Sequence, residues 1–240
     1  MAYYIPSLSP VLSIPLPLII DRMPEAYSLP KLDNLIAETA VRTDLIALMD
    51  SARWPRFEKD GDRVLPHIAF YFGEGAGMIP PGILKKTRLA EVADGESVRD
   101  RIRELKAIHP GIVVAVRVAL TAEGIERAVE LAKGEAEVIH IVADLNGRQI
   151  GAPNPPFIKE MIRKIHRALI ENGTRDGVTL IAGGGIALPE HLVKGVLCGA
   201  DLVSIELPLL VGLECHLCQR CEEGSACPAR IQEISLAYGV

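Results

Sequence analysis

The sequence predicts an α/β fold: a compact, partly degenerate (β/α)8 TIM barrel followed by a C-terminal cysteine-rich, cluster-binding segment. Three observations lead there. Short apolar, β-branched runs alternate with amphipathic stretches along most of the 240 residues, and strands alternating with helices make a parallel sheet. The candidate strands number eight, the count of a closed barrel. Four of the five cysteines then crowd into residues 215–227, beyond the last strand. An open six-stranded sheet is the competing architecture.

The clearest strands are residues 16–22, 113–119, 138–144, 178–184 and 202–207, each a nearly continuous apolar run. That is the pattern of parallel strands covered on both faces. Weaker strands at 44–49, 67–72 and 88–92 complete the count. Helical patterns occupy 97–108, 122–133, 156–171 and 189–198. Gly134 and Gly173 stand just past two helix ends, and Pro156 and Pro189 open two first turns, where proline and glycine belong. The second βα unit is degenerate, because residues 51–63 are polar and carry no helical period. The run 53–63, with Trp54, is expected as a solvated loop.

Apolar residues make up 49% and aromatics 4%, so the core must be built of Leu, Ile, Val and Ala. A net charge of −5 without a basic block argues against a nucleic-acid partner. Residues 11–20 are apolar but short, hold Pro15 and Pro17, and follow no positive charge. They suit neither a membrane span nor a signal peptide, so no membrane insertion and a cytoplasmic location are expected.

The cysteines read Cys215-x2-Cys218-x2-Cys221-x5-Cys227-Pro228. Thiolates this close in sequence can converge on one centre, and four-cysteine sites hold iron–sulfur clusters or zinc. The spacing resembles the bacterial ferredoxin run, whose last gap is three residues rather than five. One short segment supplies all four ligands, whereas structural zinc usually takes two separated pairs. A [4Fe–4S] cluster on Cys215, Cys218, Cys221 and Cys227 is therefore expected, with zinc or uncoordinated cysteines as alternatives. Cys198 reads as a small core residue. The six histidines show no metal-ligand spacing, and His109, before Pro110, reads as a helix end. The chain divides into a barrel at 1–210 and, at 211–240, the cluster segment with a C-terminal helix packed on the barrel.

Further residues carry a family resemblance. Val178-Thr-Leu-Ile-Ala-Gly-Gly-Gly-Ile, then His191-Leu-Val-Lys-Gly-Val-Leu-Cys-Gly-Ala-Asp-Leu-Val and Cys215, resemble the FMN-binding domain of glutamate synthase. Gly73-Glu-Gly-Ala-Gly-Met-Ile-Pro-Pro-Gly and Glu171-Asn-Gly-Thr-Arg-Asp-Gly-Val are similar to it as well. The resemblance covers about two-thirds of the chain and implies a TIM barrel. It implies cluster ligands at Cys215, Cys221 and Cys227; Cys218 is additional, and a fourth thiolate is what a [4Fe–4S] cluster needs.

For FMN, the resemblance implies a phosphate cradle at Gly183, Gly184 and Gly185, and a flavin contact at Arg117, where the family has lysine. After the last strand the family's Gly-Thr is replaced by Glu206-Leu207, a carboxylate that would repel the phosphate and fill its space. The family's Gly-His-Asp-Gly-Gly-Thr-Gly-Ala substrate loop becomes Leu145-Asn-Gly-Arg-Gln-Ile-Gly-Ala. Asp144 and Asn146 end the sixth strand, where a ligand role and simple turn capping both stand open. With 240 residues leaving no room for the family's glutaminase domain or β-helix, a subunit or a repurposed domain is expected. The expected function is an iron–sulfur electron-transfer subunit, its partners other subunits of a redox complex or a ferredoxin-like carrier. The alternatives are an FMN-dependent oxidoreductase whose cluster relays electrons to flavin, and a zinc-stabilised barrel binding a small phosphorylated ligand.

Overall fold

A computed structural model describes residues 11–218 apart from Ser28, Asp60, Glu135 and Ala152. Chain order runs β1 (Leu18–Ile20), α1 (Pro30–Thr43), β2 (Ala47–Asp50), α2 (Gly61–Val64), β3 (Ile68–Phe72), α3 (Pro81–Leu84), β4 (Leu89–Ala93) and α4 (Val98–Ile108). It continues through β5 (Val113–Ala119), α5 (Gly124–Lys133), β6 (Val138–Val142), α6 (Ile158–Glu171), β7 (Thr179–Gly183), α7 (Pro189–Cys198), β8 (Leu202–Ile205) and α8 (Leu207–Gly212). The eight strands close into one parallel barrel. Closure is made by β1 against β8, with Leu18 opposite Val203, Ile19 opposite Ser204 and Ile20 opposite Ile205. The open sheet is thereby excluded.

Local chemistry sets the helix ends. α1 opens on Pro30 and stops at Asp44, which takes the left-handed conformation at φ 54°. Gly199 closes α7 at φ 115°, and a Cβ there would lie 2.4 Å from His166 Cγ. Glycine is required on both counts.

Two parts of the fold differ from the sequence expectation. The helix α1 is not among the expected elements, because Asp33 interrupts its apolar face of Leu32, Ile36, Ala37 and Ala40. The polar run after β2 is not a solvated loop either. Residues Ser51–Phe57 form a 3-10 helix that buries Arg53 and Phe57, and Trp54 packs on the core. Arg53 Nη1 donates to Asp33 Oδ1 at 3.0 Å, and its Nη2 lies 2.9 Å from Asp50 Oδ2. Arg56 also pairs with Asp33. Arginine and aspartate that neutralise each other can enter a core that neither enters alone.

The outward strand faces and the helices form the main core. A second core fills the lower barrel with Ile19, Ile46, Leu48, Ala69, Leu89, Val113, Ala115, Val138 and Ile181. Leu12, Ile14 and Leu202 pack against it. Above this layer the barrel interior turns polar. No helix among the described residues is long and apolar enough to cross a membrane.

Candidate functional site at the barrel mouth

Side chains alternate along a strand, so residues two apart share a face. Two positions beyond Leu89, Ala115 and Val138, which face the barrel axis, come Glu91, Arg117 and His140. Asp21 follows Ile19 in the same way, and Ser204 lies opposite Ile19 across the seam. These five polar residues form a layer in which four are at most 1% exposed, and the Arg117 side chain is 15% exposed.

Their contacts close on one another. Arg117 Nη1 donates to Asp21 Oδ1 and to Glu91 Oε1, both at 2.9 Å, and Nη2 donates to Asp21 Oδ2 at 3.2 Å. His140 Nδ1 stands 2.7 Å from Glu91 Oε2, and Nε2 stands 2.8 Å from Ser204 Oγ. Ser204 Oγ donates to Asp21 Oδ2 at 2.9 Å. With its single proton committed there, the hydroxyl can only accept from His140. Nε2 is thus the donor to Ser204, and Arg117 and His140 together bridge Asp21 and Glu91. Burial alone would raise both acids, but Arg117 and His140 hold Asp21 and Glu91 below the usual carboxylate range. Arg117 is raised in turn, the two carboxylates outweighing its burial.

Gly183, at the end of β7, completes this layer by having no side chain. A Cβ there would stand 2.1 Å from Ser204 Oγ, 2.9 Å from His140 Nε2 and 3.3 Å from Asp21 Oδ2. Its neighbours serve a different contact. Gly184 and Gly185 adopt φ of 89° and 70°. Cβ atoms on them would lie 2.3 Å from Ala143 O and 2.2 Å from Gly147 N. All three glycines thus let the β7 turn lie against the chain itself. Asp144 Oδ1 accepts from the N–H groups of Asn146 at 2.9 Å and Arg148 at 2.7 Å, which is turn capping, while Asn146 is exposed.

Glu206 follows β8 at the rim and is 7% exposed. Its Oε2 is buried without a hydrogen-bond partner. Burial first, then Asp21, push it up to about 8 against the pull of Arg117. Glu206 is consequently neutral near pH 7, and charge repulsion is not what would keep a phosphate out. Its bulk is. Beyond it at the mouth, Arg22 stacks 4.3 Å above the Tyr71 ring and donates to Asp50 at 2.8 Å.

These residues do not fit FMN. The cation at the flavin-contacting position, Arg117, is consumed by two carboxylates. The glycine turn packs against residues 143–147, and a buried carboxyl stands at the strand-8 position.

Among the described cysteines, Cys215 is half-buried against the core and Cys218 is exposed. Cys215 N–H bonds to Leu210 O at 2.9 Å, which ties it to the end of α8. Leu217 N–H donates to Cys215 Sγ at 3.4 Å. Cys221 and Cys227 lie outside the described residues. Among the described residues, no three His, Cys, Asp or Glu side chains gather as metal ligands. Cys198, expected in the core, is half-buried at the end of α7.

Asp21, Glu91, His140 and Ser204 are the site residues that sequence reasoning missed. The available signal was one polar residue inside each apolar strand, as in Val138-Ile-His-Ile-Val142.

Fold and site together define a parallel eight-stranded barrel whose upper interior is a closed ionic network. The model of the conserved region in glutamate synthase matches residues 60–233, and the chain belongs to the glutamate synthase family. An archaeal-type glutamate synthase [NADPH] of Dehalococcoides mccartyi is 31% identical over 123 residues, covering 51% of this chain and 22% of that protein. An archaeal glutamate synthase [NADPH] of Methanocaldococcus jannaschii is 29% identical over 139 residues, covering 54% and 26%. These alignments thus span about a quarter of either relative's length. Among solved structures, a mandelate oxidase mutant with an FMN adduct aligns with a TM-score of 0.58 at 15% identity, covering 84% of this chain and 68% of that one. The aldolase QR15 aligns at 0.51 and 16% identity, covering 78% and 88%. At such identities the likeness is one of fold.

Proposed function

We propose that this chain is an iron–sulfur electron-transfer subunit of a larger redox complex, built on a glutamate-synthase-family barrel. The observation that carries the reading is the four-cysteine run, Cys215, Cys218, Cys221 and Cys227, directly beyond a barrel whose flavin-contacting position is already neutralised. These four thiolates would hold a [4Fe–4S] cluster, which supplies one-electron transfer when bound. Two local features support this. α8 and the Cys215 N–H bond fix one ligand to the barrel. The Leu217 N–H directed at Cys215 Sγ would stabilise a thiolate, and hydrogen bonds to sulfur tune cluster potential. A single centre needs an exchange partner close by, which is why another subunit or a ferredoxin-like carrier is proposed.

Family membership favours a second reading, FMN in the barrel with the cluster relaying electrons to it. One sample separates the two. Anaerobically purified protein should contain about four irons and about four sulfides per chain, with neither flavin nor stoichiometric zinc. Bound flavin would overturn the flavin-free reading. One zinc per chain without iron would remove electron transfer altogether.

A further inference from the structure

The outer face of α7 is apolar. Val193 is 55% exposed, Val196 39% and Leu197 81%. Spaced i, i+3 and i+4, they form one stripe. α7 meets the barrel through Gly195, its buried residue, where a Cβ would lie 2.9 Å from Val203 Cγ1. Other barrel helices do the reverse. α6 buries Ile158, Met161, Ile162, Ile165 and Leu169 and turns Lys159, Arg163 and Arg167 outward.

The stripe borders a short stretch of wall. In barrel order α8 lies between α7 and α1, and it has 6 residues against 10 in α7 and 14 in α1. Val211 on α8 is 56% exposed as well. Summed, these side chains leave roughly 400 Å² of apolar surface, within the range of the largest and often functional patch on a monomer. That is about half of what each partner buries in a stable dimer, so a second copy is a poor match and a short segment a good one.

The chain itself supplies such a segment. Twenty-two residues follow Cys218, the last twelve being Ala229-Arg-Ile-Gln-Glu-Ile-Ser-Leu-Ala-Tyr-Gly-Val. Ile231, Ile234 and Tyr238 recur at helical spacing, and Arg230 and Glu233 are the only charged side chains. Twelve helical residues would extend about 18 Å, matching the length of α7. The intervening residues, extended, reach about 30 Å, so the span is not limiting. We propose that residues 229–240 dock along the Val193–Val196–Leu197 stripe of α7 and complete the eighth position of the helical ring.

Amide hydrogen exchange tests this on the full chain purified anaerobically. It is compared with a chain ending after Pro228, which keeps all four cysteines, and with full-length Ile234→Asp. Peptides covering α7 should exchange at least about tenfold faster in both variants. Leu197→Asp should accelerate exchange across 229–240 by a similar factor. Should the shortened chain fail to fold, the two point variants carry the test. Unchanged α7 exchange in Ile234→Asp would overturn the docking. So would α7 protection that rises with protein concentration, which would assign the stripe to a second copy. Iron content is read on the same samples, and its absence would defeat the electron-transfer proposal without touching this one.

Discussion

At the scale of single residues, Arg117 and Gly183 are the most constrained positions in the barrel mouth. Replacing Arg117 by Met keeps much of the volume but leaves Asp21 and Glu91 buried without their guanidinium partner. Breaking a buried pair this way costs about 3–5 kcal/mol, so chemical denaturation of Arg117→Met should show a loss of that size. Gly183→Ala places a methyl 2.1 Å from Ser204 Oγ. The hydroxyl must rotate or β7 must shift, and overpacking of this kind costs about 1–3 kcal/mol. The pair Gly183→Ala with Ser204→Ala should recover part of that loss, because the clash is with the hydroxyl itself.

At the scale of elements, α1 and the 3-10 helix after β2 stand or fall together. Asp33, 0% exposed, accepts from Arg53 and is paired with Arg56. Asp33→Ala would leave Arg53 buried with Asp50 as its remaining carboxylate partner, and a destabilisation of about 3 kcal/mol is expected. The proposed cluster is tested at its ligands. Cys218→Ser should lose or convert the cluster, because each iron of a cubane takes its own external ligand. Cys198→Ser should leave the cluster signal unchanged. A stable [4Fe–4S] signal by electron paramagnetic resonance in Cys218→Ser would show that Cys218 is not a ligand.

For the whole molecule, the buried acids set how stability depends on pH. Glu206 is raised from 4.5 to about 8, so the folded state holds a proton there that the unfolded chain has released. Stability should fall as pH rises from about 4.5 to 8, by on the order of 4 kcal/mol from this group. Asp21 and Glu91 are lowered; their contribution is present above the unfolded carboxylate range and lost as pH falls through it. The stability maximum should therefore lie on the acid side of neutrality, near pH 5. Glu206→Gln should flatten the alkaline limb in thermal melts while leaving the acid limb in place. A parent protein equally stable at pH 5 and 8 would show that Glu206 finds a partner in solution.

How much of this was legible beforehand follows from the range of each interaction. Strand alternation, β-branched runs and helix-end glycines are local, and they were enough for the eight-stranded barrel and the four-cysteine run. The family likeness was legible in the β7–β8 stretch for the same reason, because contiguous residues carry it. The ionic layer was not, since Asp21, Glu91, Arg117, His140 and Ser204 come from five strands and meet only once the barrel closes. The same holds for Asp33 with Arg53, whose burial depends on a partner 20 positions away. The phosphate cradle at the glycine triplet came from the family resemblance, whereas the contacts an added Cβ would make there, with Ser204, Ala143 and Gly147, follow from the barrel. A residue's type and spacing determine what chemistry it can do; the partners that tertiary structure brings to it determine whether that chemistry is free or already spent.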